Sequence, residues 1–153
     1  MILDKAIYEK LCNYCAYQER CVSDVKQKLY KLKVSKDDYD TYIEKLQGGN
    51  FLNEDRYTKY FVSAHVKKKW GKQKMQAALS AKRIDTRTIK KYLQDIDANQ
   101  YNEQMHTAAE KKWRTIKGET LNERKTKLLR FLLTKGYEMK IAGEVVKQVA
   151  KGE

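Results

Sequence analysis

One apolar spacing occurs three times along this 153-residue chain, and it leaves little room for any fold but a helical repeat. Between Ser35 and Gln47 the apolar residues are Tyr39, Tyr42, Ile43 and Leu46, at i, i+3, i+4 and i+7, the spacing of one buried helix face. The same spacing returns as Ile89, Tyr92, Leu93 and Ile96, and again as Ala142, Val145, Val146 and Val149. A helix ahead of each stretch repeats too: Val25 and Leu29, then Met75, Ala78 and Leu79, then Leu128, Phe131 and Leu132. A single apolar residue separates the two helices each time, Val34, Ile84 or Tyr137.

Every repeat also opens with a helix. Ile7, Leu11 and Tyr14 mark the first, Tyr57, Tyr60, Phe61 and Ala64 the second, and Met105, Ala108, Ala109 and Trp113 the third. In the third repeat the connection is longer, through Gly118-Glu119-Thr120, and Thr120-x-x-Glu123 is a capping box that restarts the chain. Ser23, Ser35, Asn53 and Thr86 are N-cap candidates, while Gly48-Gly49, Gly71 and Gly136 suit helix ends. The absence of proline and a total of seven glycines fit long uninterrupted helices and argue against a sandwich or barrel. The expectation is an all-α chain of three tandem three-helix repeats, helix-turn-helix-like modules at residues 1–50, 51–100 and 101–153. A module of that size has a thin core, so stacking of neighbours should extend it into an elongated array open to curvature. Tyr39, Tyr42, Tyr57, Tyr60, Phe61 and Tyr92 all sit at buried-face positions and are assigned to that core.

Charge is distributed unevenly over the modules. The whole chain carries +13, split as +1, +7 and +5. The densest run is Lys67, Lys68 and Lys69, followed by Lys72, Lys74, Lys82, Arg83, Arg87, Lys90 and Lys91. A second group comprises Lys111, Lys112, Arg114, Arg124, Lys125, Lys127 and Arg130. Clustered cations suit a polyanion, because neutralising phosphates releases counter-ions. A solvated lysine face is the ordinary outcome of such runs, and here the asymmetry between modules favours a binding patch.

No catalytic constellation accompanies the charge: there is no phosphate loop, no G-x-S-x-G and no H-E-x-x-H. His65 and His106 are isolated, and the acidic runs Asp37-Asp38-Asp40 and Glu54-Asp55 fall at helix starts, where they complement the dipole. Cys12 and Cys15 form a C-x2-C pair, with Cys21 nearby, but structural zinc wants four ligands and no second pair follows. The cysteines are expected to be reduced, small buried hydrophobes in a cytoplasmic protein. The start, Met1-Ile2-Leu3-Asp4-Lys5, lacks a basic region ahead of an apolar stretch, and no apolar run reaches the ~18 residues of a membrane span. A binding protein without cofactor or metal is the result.

In order and spacing, several motifs resemble those of the RecX regulatory proteins. Arg20-Cys-Val-Ser23-Asp24-Val-Lys-Gln-Lys28-Leu29 is similar to the family's R-x-x-S-x-x-E-L-x-x-K-L opening. Leu46-Gln-Gly-Gly49-Asn-Phe51-Leu52-Asn53-Glu54-Asp55-Arg56-Tyr57 resembles its G-x-L-(N/D)-D-x-x-(F/Y) junction. Gly71 to Leu79 with Lys82-Arg83-Ile84 resembles G-x-x-x-I-x-x-x-L-x-x-K-G-I, and Leu132-Leu133-Thr134-Lys135-Gly136-Tyr137 the closing L-x-x-(R/K)-G-(F/Y). Arg83 stands where that pattern has glycine, so its helix is expected to close without the residue best suited to a left-handed turn. The resemblance implies three tandem three-helix repeats and a regulator that binds the RecA recombinase and its nucleoprotein filament; the chain itself is expected to be a monomer. Inhibition of recombinase, ATPase and coprotease activity would follow, modulating recombination and repair. The residues expected at the contact are Lys67, Lys68, Lys69, Lys72, Lys74, Lys82, Arg83, Arg87, Lys90, Lys112, Arg114, Arg124, Lys127 and Arg130. The competing reading is a stand-alone helical protein that binds single- or double-stranded DNA.

Overall fold

The computed structural model describes residues 3–152, so Met1, Ile2 and Glu153 lie outside it. Among the described residues there are nine α-helices and no strand. They are α1 (Lys5–Tyr17), α2 (Val22–Lys31), α3 (Tyr39–Gly48), α4 (Glu54–Lys67), α5 (Lys72–Ala81), α6 (Thr86–Gln94), α7 (Ala98–Trp113), α8 (Leu121–Thr134) and α9 (Met139–Ala150). A 3-10 turn at Lys36–Asp38 leads into α3.

Side-chain oxygens start many of these helices, each satisfying amides that the helix itself leaves unpaired. Asp4 accepts from the Ala6 and Ile7 amides, Asn53 from Arg56, and Asp97 from Asn99 and Gln100. Thr120 accepts from the Glu123 amide, while the Glu123 carboxylate returns to the Glu119 amide. Two caps differ from the sequence reading. Asp85 caps α6 by accepting from the Arg87 amide, and Thr86 is already helical. Cys21 precedes α2, and Ser23 lies in its first turn; there the Asp24 carboxylate takes the Cys21 amide at 3.2 Å. In both places a carboxylate accepts where a hydroxyl was anticipated, gaining from the helix dipole as well.

Five helices close in one way. Lys33, Asn50, Lys69, Arg83 and Gly136, with φ between 61° and 97°, adopt the left-handed conformation after α2, α3, α4, α5 and α8. Each of their amides, and the next one along, reaches back to helix carbonyls, as in Arg83 N–H to Ser80 O and Ile84 N–H to Leu79 O. The residue that follows is Val34, Phe51, Trp70, Ile84 or Tyr137, an apolar side chain that folds back on the helix. Arg83 therefore takes up the glycine-like turn itself.

The three-helix repeat carries the anticipated register in its second and third helices. Val25, Leu29, Tyr39, Tyr42, Ile43 and Leu46 are buried, as are Met75, Leu79, Ile84, Ile89 and Leu93, and Leu128, Leu132, Tyr137, Ala142, Val145 and Val146. Tyr60 departs from it: half of its surface faces solvent. The buried stripe of α4 is centred on Tyr57, Thr58, Val62 and Val66, and at 100° per residue Tyr60 falls beyond its edge. Thr58 is tolerated inside because its hydroxyl donates to the Glu54 carbonyl at 2.7 Å.

Burial divides unevenly along the chain. Leu11, Cys15, Val25, Leu29, Tyr39, Tyr42, Ile43, Leu46 and Leu52 form a core confined to α1–α3 and the connection after it. A second, larger core runs without interruption from α4 to α9, and among the described residues ahead of α4 Cys21, just before α2, is the one buried hydrophobic that reaches it.

Candidate partner-binding surface

The cationic groups are placed by two joints between helix triplets, built on one plan. In each joint the start of a second helix meets the end of the next triplet's second helix. At the first joint the Val22 amide is taken by Glu54 Oε2 at 3.0 Å, and Lys82 Nζ meets Asp24 Oδ1 at 2.5 Å. At the second the Lys72 amide, fifty positions after Val22, is taken by the Tyr101 hydroxyl at 2.8 Å. There the backbones touch directly: Gly71 N–H donates to Lys135 O at 2.7 Å and Gln73 N–H to Gly136 O at 3.0 Å. A Cβ on Gly71 would stand 2.0 Å from the Gly136 carbonyl carbon. Gly71 is thus a close-approach residue opening α5, whereas the sequence suggested a helix end.

Electrostatics distinguishes the joints. Burial works against the Asp24 carboxylate, but the Lys82 ammonium and the Cys21 amide overcome it and hold the group below its ordinary pKa. Lys82 is raised in turn, chiefly by its bond to Asp24. Glu54 is raised by burial. Glu19 and Arg56 add a further ion pair at 2.5 Å across this joint. Lys82 is consequently committed to holding two triplets together. The second joint gathers cations instead. Lys135 is pushed below its ordinary pKa by burial and by the nearby Lys74 and Lys69 ammonium groups. Lys74 stands 4.2 Å above the Trp70 ring, which meets His65 edge-on at 4.4 Å; His65 stacks on Phe61 at 3.8 Å. His65 is lowered by burial, against the Phe61 carbonyl that accepts from it, and by Lys68 and Lys74. Three lysines thus share a small region, and none of them forms an ion pair among the described residues.

The remaining sequence-selected cations fall in separate places. Lys67 and Lys68 are exposed at the end of α4. Lys72 leans on the Tyr101 ring at 5.3 Å and, with Lys90, lines a hollow of about 130 Å³ between α5 and α6. Arg83 and Arg87 are exposed around the α5–α6 turn, and Arg114 is exposed at the end of α7. The Arg124 guanidinium lies 4.0 Å over the Trp113 ring and donates to the Trp113 carbonyl, a structural role. Lys112, Lys127 and Arg130 do converge, in a groove of about 490 Å³ between α7 and α8. Lys117 joins them there and Lys135 joins the second joint; both escaped the sequence reading because each is a single lysine outside a run. A pattern linking the ends of α4, α5 and α8 could have found Lys135, since it precedes the glycine that contacts Gly71.

Two of the three thiols are buried, and Cys12 is partly exposed. Cys15 and Cys21 are buried, and burial raises each to about 11. Among the described residues no three His, Cys, Asp or Glu side chains converge, and no helix is long and apolar enough to cross a membrane.

Comparison with known proteins gives this arrangement its context. A family model for RecX, third three-helix domain, matches residues 99–146, from α7 into α9. The regulatory protein RecX of Clostridium beijerinckii is 30% identical over 128 residues, 82% of this chain and 60% of the relative. That of Chlorobium phaeobacteroides is 26% identical over 147 residues and 95% of both chains. The crystal structure of RecX from Lactobacillus salivarius superposes with a TM-score of 0.79, at 25% identity over 94% of each chain. The chain belongs to the RecX family. A second RecX crystal structure, at 21% identity, agrees in fold with a TM-score of 0.82. The chain spans about 60% of the length of the clostridial RecX proteins it matches. As in those RecX structures the fold is all-helical, with three tandem three-helix repeats.

Proposed function

We propose that this RecX-family chain binds the RecA recombinase assembled on DNA and restrains its recombinase, ATPase and coprotease activities. It acts as a monomeric cytoplasmic protein with no chemistry of its own, and its working modules are residues 1–50, 51–100 and 101–153. The observation that carries this reading is the pairing of RecX membership with clustered cations that form no ion pair among the described residues: Lys69, Lys74 and Lys135 at the second joint, and Lys112, Lys117, Lys127 and Arg130 in the α7–α8 groove. Two positive sites on one core would touch neighbouring protomers of a filament, and simultaneous contacts raise avidity beyond either alone.

The test is retention on immobilised RecA filaments, with single-stranded DNA and nucleotide each present or omitted. Retention is expected only on the assembled filament. Replacing Lys67, Lys68, Lys69, Lys72 and Lys74 by Gln should weaken it at least about tenfold with helicity unchanged. Undiminished inhibition of the recombinase ATPase by that variant removes this patch from the mechanism. Equal retention on bare DNA would instead make the chain a DNA-binding protein.

A further inference from the structure

The groove between α7 and α8 brings four cations together, where the hollow between α5 and α6 holds two, Lys72 and Lys90. Among the described residues its ionisable lining is Lys112, Lys117, Lys127 and Arg130, with no acidic group. The comparable hollow between α4 and α6 mixes Lys59 and Lys91 with Asp95 and Asp97. Two of the four cations are held in place before any ligand arrives. Lys127 Nζ donates to the Lys117 carbonyl at 2.6 Å, and the Lys112 ammonium rests 5.2 Å from the Phe131 ring centre. Neither anchor neutralises charge, so the positive field stays focused in a concave site. Holding flexible lysines beforehand also reduces the ordering cost of binding. Glu123 lies in an adjoining hollow that Lys127 and Arg130 also line, and its carboxylate accepts from the Glu119 amide.

The floor selects among anions. It is made of Ile116, which is buried, and half-buried Phe131, the one aromatic among the described lining residues. A single strand of nucleic acid would need an open aromatic face for its bases; here Lys112 stands over that ring. Bare phosphate would leave the apolar floor unused. A peptide uses both parts, its carboxylates meeting the rim and one apolar side chain covering Ile116 and Phe131. Lys127, Arg130 and Thr134 lie along one side of α8, spanning about 10 Å, long enough for several extended residues.

We propose that the α7–α8 groove docks an acidic peptide segment of a partner protein, anchored by one aliphatic or aromatic side chain over Ile116 and Phe131 and paired to Lys112, Lys117, Lys127 and Arg130. The inference deepens the filament-binding reading by giving the chemistry of one contact, and its test needs no recombinase.

The probe is a fluorescent peptide of about twelve Asp and Glu residues with one central Phe, titrated against the full chain and followed by anisotropy. Binding should fall at least about tenfold for the exposed pair K127E/R130E, and several-fold when the central Phe becomes Ser. Unchanged thermal melting shows that the variant is folded, and R130E alone, expected to give a smaller loss, repeats the test with less perturbation. Affinity equal in wild type and K127E/R130E overturns the proposal, and so does indifference to the central Phe. Displacement of the peptide by oligothymidylate at lower concentration than by unlabelled peptide would assign the groove to nucleic acid and overturn it as well. The same variant assayed on RecA filaments separates the two readings: loss of peptide binding with filament retention intact leaves the groove assignment standing and moves filament contact elsewhere.

Discussion

Lys33, Lys69 and Arg83 hold side-chain-bearing backbones in a conformation that costs roughly 1–2 kcal/mol outside glycine. They keep it because two backbone hydrogen bonds and one apolar contact are gained together at each turn. The cost should be recoverable. Lys33→Gly, on an exposed residue away from both cationic sites, is expected to stabilise the chain by roughly 0.5–1 kcal/mol after allowing for the freer unfolded glycine. A shift of the urea midpoint upward with constant slope measures it. A downward shift would mean that the Lys33 side chain contributes more than its backbone loses. These positions also set the limit of what one chain reveals. Gly136 advertises its turn, whereas Lys33 and Arg83 do so only when aligned with Gly136 across the repeat.

At the scale of elements, the helices and their buried faces were legible because periodicity is a local property. Tyr39, Tyr42, Ile43 and Leu46 declare their face within eight residues. Tyr60 misled because an apolar residue beside a stripe has the same spacing as one inside it. The joints were illegible for another reason: Asp24 with Lys82, and Gly71 with Gly136, pair residues nearly sixty or more positions apart, and no spacing encodes such a meeting. That meeting makes Gly71 the most demanding position on the chain. In Gly71→Ala the new carbon would collide with the Gly136 carbonyl carbon and the Tyr137 amide, and backbone cannot rotate away as a side chain can. The expected cost is about 3 kcal/mol, with the hydrogen bond to the Lys135 carbonyl lost. Gly143→Ala is the control. It lies inside α9 with nothing within 4 Å of the added carbon, and should stabilise by roughly 0.5–1 kcal/mol. Thermal melting of the pair decides the matter, and equal melting points would deny the joint its packed geometry.

The whole molecule is two folding units, because apolar contact is continuous from α4 to α9 and interrupted before α4. Across that interruption the chief links are the Asp24–Lys82 and Glu19–Arg56 pairs, the Val22 amide on Glu54, and Cys21. Partly exposed ion pairs couple weakly, of order 1 kcal/mol or less, whereas a shared core couples strongly. The smaller unit buries fewer side chains and should open first as denaturant rises. The sequence supplies its own reporter, since both tryptophans, Trp70 and Trp113, belong to the larger unit. Tryptophan fluorescence then follows α4–α9 alone, while far-ultraviolet circular dichroism follows all nine helices. The two urea transitions should not coincide: the dichroism should begin to fall first, by the share of α1–α3, before the fluorescence moves. Leu46→Ala should widen the gap by lowering only the early phase, and Leu132→Ala should narrow it by lowering the late one, each residue being fully buried in its own core. Superimposable transitions in the unmodified chain would mean that the polar joint transmits as much cooperativity as the continuous core. A partner that grips α4–α9 would then also steady α1–α3; with separate transitions, it leaves them free to reorient about the Asp24–Lys82 joint.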